Sequence, residues 1–369
     1  MKIFCNIQNL NKELQTVQKE IATKPSTPIL AGVHFKTLEN KVIIQANDLN
    51  MAISSTIEAD VVEPGEIVVS GRMITELARK LPGETVFISN NKANNTISIE
   101  SGKSKNSLLA MNEEDYPEFP NFDAEKSIDI PDDKLKELIK KTIFACSNDE
   151  ARPLFTGILV DVKDGKVTFV GTNTHRLAIK SLPLDTEENL SMIIPSKVLA
   201  EIARNLNGET PALVNLATIN NRIRITIDNS VIVARLIEGK FPDYRRVIPP
   251  KFAITTKLSA SELAGAVERV SLFSTENDYS IVKISVSQAE LNINSSSPEV
   301  GTGNEIIPCI TEGADVNVAF NSRYLLDILK SIDSDNVTFS MNTSISPVCV
   351  NSSEEEDYTY IVTPVRVVF

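Results

Sequence analysis

Histidine and cysteine are scarce in this chain, and their scarcity excludes whole classes of chemistry. His34 and His175 are the only histidines, and four cysteines are spread along 369 residues. None of these residues stands at metal-ligand spacing, and there is no CxxC or HExxH, so no zinc site is expected. Cys5, Cys146, Cys309 and Cys349 read as reduced thiols of a cytoplasmic protein. No apolar run approaches the roughly 18 residues of a membrane helix, and Met1–Leu14 lacks the apolar region of a secretory signal. A Walker-type phosphate loop, a dinucleotide fingerprint and a nucleophile elbow are all missing. Neither a cofactor nor catalysis is expected.

What the chain does contain is repetition. Pro195–Thr210 (PSKVLAEIARNLNGET) and Ser70–Thr85 (SGRMITELARKLPGET) lie 125 residues apart and agree at seven of sixteen positions. A further 126 residues on, Asn321–Asn336 keeps only the pattern of a small polar residue, a base, an apolar stripe and a polar turn. The period is too long for a solenoid unit and matches a small domain. Three copies of one domain are therefore expected, over residues 1–123, 124–248 and 249–369.

Each copy reads as α+β, with two helices and seven or eight strands. The first helix of the first copy is expected over Leu10–Ile21, where Leu10, Leu14, Val17 and Ile21 share a face. In the second copy Asp132 and Asp133 open a helix carrying Leu135, Leu138 and Ile139, and in the third Ser261 caps one carrying Leu263, Val267 and Val270. The repeated motif supplies the second helix of each copy. Alternating segments between them read as strands, and the first two copies align without a gap from Gly32 and Gly157 onward. That alignment ends at Tyr116–Phe119 and Phe241–Tyr244, each an aromatic, a proline, an acid and an aromatic, which halts a strand. Tyr358–Phe369 is β-branched and alternating, and should close the third sheet.

The formal net charge of −12 argues at first against a polyanionic partner. Its distribution argues otherwise. The six predicted helices carry fourteen bases against ten acids, so base gathers on helices and acid elsewhere. Two readings fit that distribution: helix surfaces that carry lysine for solubility, or a body that repels polyanions outside yet accepts one along a helix-lined face. Lys134–Lys141 fits a solvated helix face and a phosphate-facing one equally well, and Glu354–Glu356 reads as a solvated acidic loop. His34, within a strand, reads as structural.

Four further stretches carry a family resemblance: Lys24–Leu30 (KPSTPIL), Thr172–Ala178 (TNTHRLA), Glu238–Tyr244 (EGKFPDY) and Thr363–Arg366 (TPVR). In this order, on a threefold repeat of this period, they resemble the bacterial DNA sliding clamps, the β subunits of DNA polymerase III, over the whole chain. The resemblance implies DNA-clamp domains, each with two helices packed on antiparallel sheet, the chain forming half of a six-domain ring. Two protomers would join head to tail as a homodimer, a heterologous contact that must close on itself or run on as a filament. The implied function is that of a processivity factor: a non-catalytic ring that encircles double-stranded DNA without reading sequence and tethers a polymerase.

By the same resemblance, DNA would be met by Lys24, Arg72, Arg79, Lys80, Arg152, Lys197 and Arg204. An apolar pocket for partner peptides would be built from Phe155, Thr172, Thr174, His175, Arg176, Leu177, Pro242, Arg246 and Val247. The third copy would add Ile345, Pro347, Ile361, Val362, Thr363, Pro364, Val365 and Arg366. Apolar anchors with a polar rim suit such a site. The implied partners are the replicative polymerase catalytic subunit, the clamp loader, repair polymerases and mismatch-repair proteins, with no membrane involved. Leu108, Leu272 and Phe273 would lie at the dimer interface, where Asn106 stands in place of a frequent aromatic residue. Thr363 and often Val365 replace methionine, Phe155 a smaller aliphatic residue, and Thr174 a frequent glycine, which predicts a tighter pocket. The other reading of the triplication is a repeat-built interaction scaffold that never encircles DNA.

Overall fold

In a computed structural model of the chain, the residues described are 1–18, 27–91, 93–120, 124–206, 212–274, 280–352, 354–355 and 357–367. One order of elements recurs three times. The first repeat runs β1 (Lys2–Asn6), α1 (Ile7–Gln18), β2 (Gly32–Leu38), β3 (Lys41–Asn47), β4 (Met51–Glu63), β5 (Glu66–Ser70), α2 (Gly71–Ala78), β6 (Thr85–Asn91), β7 (Thr96–Ser101) and β8 (Ser104–Met111). The second runs β9 (Lys126–Pro131), α3 (Asp132–Thr142), β10 (Gly157–Lys163), β11 (Lys166–Thr172), β12 (Arg176–Pro183), β13 (Leu190–Pro195), α4 (Ser196–Asn205), β14 (Leu213–Ile219), β15 (Arg222–Ile227) and β16 (Ser230–Arg235). The third runs β17 (Ile254–Ser259), α5 (Ala260–Ser271), β18 (Ile281–Val286), β19 (Glu290–Ser297), β20 (Gly301–Pro308), β21 (Ile310–Glu312), β22 (Val316–Asn321), α6 (Ser322–Ser331), β23 (Asn336–Met341), β24 (Val348–Asn351) and β25 (Tyr358–Val362).

Caps set the helix ends and correct two expectations. α1 begins at Ile7 because the Asn6 side chain accepts from the backbone N–H groups of Gln8 and Asn9 at 2.8 and 3.1 Å; Ile21 lies outside the described residues. α5 is capped by Ser259, which accepts from Glu262 N, rather than by Ser261. The small polar residue that opens the repeated motif is the N-cap in two copies, Ser70 for α2 and Asn321 for α6. Leu10, Leu14 and Val17 of α1 and Ile74 and Ala78 of α2 are buried. Each such leucine contributes about 1.5–3 kcal/mol.

Three further readings change. The third repeat has one strand more than expected, because its long strand breaks at Pro308, which cannot donate to a ladder. β20 pairs with β19, and after the break β21 pairs with β17 instead. The last strand stops at Val362: Pro364 interrupts it, and the tail is held by single bonds from Thr363 N to His175 O (2.9 Å) and Val365 N to Ala319 O (2.7 Å). The gapless alignment also fails after the second helix, since Cys5 pairs with Val86 but its counterpart Ile130 with Val214, an offset beyond 125.

The chain divides into two compact units, Met1–Leu135 with Glu201–Leu236, and Lys136–Ala200 with Ile237–Phe369. In the first, a 12-stranded sheet runs β1-β6-β7-β8-β5-β2-β3-β4-β16-β15-β14-β9, with β1 also pairing β4. In the second, a 9-stranded sheet runs β13-β10-β11-β12-β25-β24-β23-β17-β21 beside a 4-stranded one, β20-β19-β18-β22. The second repeat thus gives half its strands to each unit. Its joint to the first repeat is the antiparallel pair β4–β16, with Met51 opposite Ala234 and Ser55 opposite Ser230. Its joint to the third is β12–β25, with Arg176 opposite Val362 and Lys180 opposite Tyr358. β25 therefore does not close the third sheet but carries it on into the second repeat.

Candidate partner groove and nucleic-acid surface

The groove predicted from sequence is built around the β11–β12 turn. Asn173 Oδ1 accepts from the N–H groups of His175 and Arg176, both at 3.0 Å, and Thr172 Oγ1 accepts from Thr174 N at 3.1 Å. This forces Thr174 to φ 76°, a left-handed conformation that a β-branched residue adopts only under strain. Thr174 and His175 are exposed, while Leu177, Ile361, Val362 and Pro364 are buried. Leu177 and Ile361 share an apolar cluster with Leu159, Val170, Ile193 and Cys349. Thr172, Phe155, Pro347 and Val365 are half-buried, and Pro242, Arg246, Val247, Ile345, Thr363 and Arg366 are exposed. Arg246 reaches Asp243 at 3.2 Å. Ile345, Val365 and Arg366 line a separate recess of about 750 Å³ with Ile254, Val316 and Asn342.

Sequence reasoning missed the wall of this groove. Leu154, Phe241, Tyr244, Ile248 and Phe252 pack half-buried against the Leu177–Ile361 cluster, and the Phe155 and Phe241 rings meet edge to face at 6.2 Å. The signal lay in Phe241–Tyr244, read from sequence as a strand stop and as part of a family motif from which only Pro242 was placed in the pocket. Gly239 brings that segment in: its φ is 131°, and a Cβ there would come within 2.8 Å of Leu154.

Arg176 does not lie on the rim. Only 9% exposed, its guanidinium pairs with Asp327, donates to the Phe144 carbonyl, and lies over the Tyr324 ring at 4.4 Å. It ties β12 to α6. Lys141 is likewise neither solvated nor free for phosphate: it is buried, 2.9 Å from Glu355, and near the Tyr358 ring. Glu355 is correspondingly no solvated loop acid. Lys140 pairs with Asp333 at 3.2 Å. His34 is packed against Tyr116 and within 3.1 Å of Glu66, and its burial lowers its pKa.

The bases predicted to meet DNA are exposed, and several are paired. Arg72 reaches Glu76 at 3.0 Å, and its hydrogen bond holds the Glu76 carboxyl below the usual range. Arg152 lies 3.4 Å from Asp149, Lys197 3.6 Å from Glu150, and Arg204 2.7 Å from Glu201. The pairs to the exposed Glu76, Asp149 and Glu150 hold weakly and open readily for a stronger anion, whereas Glu201 is buried and holds Arg204 from below the surface. Arg79 and Lys80 follow α2 with no carboxylate partner among the described residues. Lys24 lies outside the described residues. Among the described residues, no group of three or more metal-ligating side chains occurs, and no helix is long and apolar enough to cross a membrane.

At the predicted seam, Leu108 is half-buried and its neighbour Leu109 is 77% exposed. Asn106 donates to Ser104 Oγ at 3.0 Å. Among the described residues, β8 pairs with β7 over Ser104–Leu109 and with β5 only at Ala110 and Met111, and β20 pairs only with β19. Leu272 is 73% exposed, Phe273 lies over Gly303, and Val300 and Ile306 are exposed beside them.

Comparison with known proteins agrees over the whole chain. The N-terminal, central and C-terminal domains of the DNA polymerase III beta subunit match residues 1–120, 129–243 and 245–366. The beta sliding clamps of Staphylococcus epidermidis and Staphylococcus aureus are each 30% identical over 364 residues, covering 96% of both chains. The DNA polymerase sliding clamp of Bacillus subtilis superposes with a TM-score of 0.95 at 29% identity, covering all of both chains. The Pseudomonas aeruginosa clamp bound to griselimycin does so at 0.94 and 27% identity, again over all of both chains. With three α+β repeats joined strand to strand, the chain belongs to the beta sliding clamps, the DNA polymerase III beta subunit family: non-catalytic processivity factors that work with DNA and a polymerase.

Proposed function

We propose that two copies close head to tail into a ring around duplex DNA, with clamp domains over residues 1–123, 124–248 and 249–369, working in the cytoplasm. The observation that carries this reading is a pair of unused strand edges. β20 stands in the third repeat where β4 and β12 stand in the first two: Gly301 lies 125 residues beyond Arg176, and Arg176 lies 125 beyond Met51. β8 stands where β16 and β25 stand, as the last strand of its repeat. In both internal joints these two kinds of strand pair with each other. In one chain, β8 and β20 have no such mate among the described residues. Unpaired edges with exposed apolar residues are templates for association, and edges that differ from each other make a heterologous contact, which must close or polymerise.

The internal joints also give the register. Met51 faces Ala234 and Arg176 faces Val362, so Gly301 should face Leu108 of the second copy, Thr302 should face Ser107, and Gly303 should face Asn106. Arg72, Arg79, Lys80, Arg152, Lys197 and Arg204, with Lys24, meet the phosphates without reading bases. The groove over Leu177, Ile361 and Val362, rimmed by Thr174, His175, Pro242 and Thr363, takes apolar peptides from the replicative polymerase subunit, the clamp loader, repair polymerases and mismatch-repair proteins.

The test is a doubly substituted chain, Ser107→Cys with Thr302→Cys. Mild oxidation should convert a dimer, sized by light scattering, into a covalently closed ring that stays on nicked circular DNA in high salt but runs off linear DNA. A monomer at micromolar concentration, or equal retention on linear DNA, would overturn the reading.

A further inference from the structure

A cavity of about 360 Å³ opens at the other internal joint, within the first compact unit, and it is the repeat counterpart of the groove just described. Leu49 occupies its rim where Thr174 stands in the second repeat, 125 residues later, and both have the same left-handed backbone, φ 74° and 76°. The turn bonds match as well. Asp48 Oδ1 accepts from Asn50 N and Met51 N, as Asn173 Oδ1 does from His175 N and Arg176 N. Arg235 N donates to Asn50 O just as Thr363 N donates to His175 O. The floor is Val233, buried with the half-buried Phe119 against it, in the places of Ile361 and Tyr244.

The two cavities differ in chemistry at one point. Arg222 and Arg235 line this one and stand directly opposite each other across β15 and β16. Neither guanidinium has a carboxylate partner among the described residues. Like charges facing each other on a sheet repel, and a carboxylate set between them converts that repulsion into two charge-assisted bonds. Beside the pair, Leu49 is 57% exposed and offers an apolar contact. Glu118, which also lines the cavity, is exposed and sets a limit on how much negative charge the cavity accepts.

We propose that this cavity is a second docking groove, for an extended peptide segment that places an apolar side chain against Leu49 and Val233 and a carboxylate between Arg222 and Arg235. The inference rests on reading the groove at the β12–β25 joint as a peptide site, and the test separates the two. The probe is a fluorescein-labelled hexapeptide of alternating glutamate and leucine, with its glutamine–leucine counterpart as control, titrated into the full chain and followed by anisotropy. The glutamate peptide should bind, the glutamine peptide at least tenfold more weakly. Arg222→Gln with Arg235→Gln, the first half-buried and the second exposed, should weaken the glutamate peptide at least tenfold, and Leu49→Asp should do so independently. Binding should survive Thr363→Asp, which places a charge on the rim of the other groove. The proposal is overturned if the double variant binds the peptide as well as the parent, if Thr363→Asp alone removes binding, or if the arginine pair proves to matter only for a duplex oligonucleotide. If a polymerase-tail peptide ignores Thr363→Asp, the reading of the first groove falls and the arginine test still stands.

Discussion

The two internal joints have the same backbone and opposite side-chain chemistry. At β4–β16 the contacts across the joint are hydroxyls: Ser55 and Ser230 meet at 2.8 Å, and Ser55 donates to the buried carboxylate of Glu13 on α1. At β12–β25 the same positions carry cations. Lys180, in the place of Ser55, lies 3.0 Å from Glu137 on α3, and Arg176, in the place of Met51, is sandwiched between Asp327 and Tyr324. Tyr358 and Tyr360 fill the space behind, their hydroxyls bonded to Ser331 and to the Tyr324 carbonyl. The ladder alone fixes how two repeats meet, while the side chains set how strongly and under what conditions. A buried charge holds only while its partner is present, so the second joint should be the more sensitive of the two.

The largest contrast is expected at the equivalent positions themselves. Arg176→Leu leaves Asp327 and the Phe144 carbonyl without their donor and should cost about 2 kcal/mol, whereas Met51→Leu keeps its volume and should cost less than about 1.5 kcal/mol. Urea unfolding of both variants measures this, and equal losses would dissolve the contrast. A smaller effect sharpens what the joints share. Thr174→Gly and Leu49→Gly relieve the same left-handed strain at both turns, and each should gain about 0.5 kcal/mol once the entropy of glycine is set against it. Similar rises in Tm are expected, and a gain at one turn only would mean that the turns are not equivalent.

Acid should give the smallest effect. The hydrogen bond from Lys141 is the main cause holding the Asp333 carboxyl below its ordinary value of 3.8, against the opposing pull of burial. A depressed folded-state pKa adds stability that is present above 3.8 and lost as pH falls through the lower folded value. Most of the Asp333 side chain is in water, so the contribution is modest. Amide protection of β25 should fall below pH 3.8 in part through this group, and Asp333→Asn should remove that part while leaving β16 unchanged. An identical acid profile in the variant would assign the loss to other carboxylates.

Much of the fold was legible because the repeat is written in residues that make local structure. Ser70 and Asn321 are caps, the apolar stripes of α1, α2 and α6 are spaced for helices, and alternation marks the strands. Illegible were the features that arise only when strands from different repeats meet. Arg176 reads as a surface base in the sequence, and nothing local says that Asp327 and Tyr324 will enclose it. Lys141 sits in a run of helix lysines, and its burial depends on Glu355, far away in the chain. The same holds for the groove. Thr172, Thr174 and His175 stand out as a motif, but Leu154 and Tyr244 join it only through Gly239 and the closure of the sheet. The end of the last strand was misjudged because alternation continues past Val362, whereas Pro364 removes the donor that a ladder needs.

The middle repeat gives its strands to both neighbours, and each border is crossed by hydrogen bonds rather than by a linker alone. Covalent connection therefore adds nothing to the shape of a joint. A peptide bond between neighbouring repeats only raises the local concentration of one edge near the other, so how many repeats a single polypeptide carries sets how completely the joints form, and the edges themselves dictate the geometry.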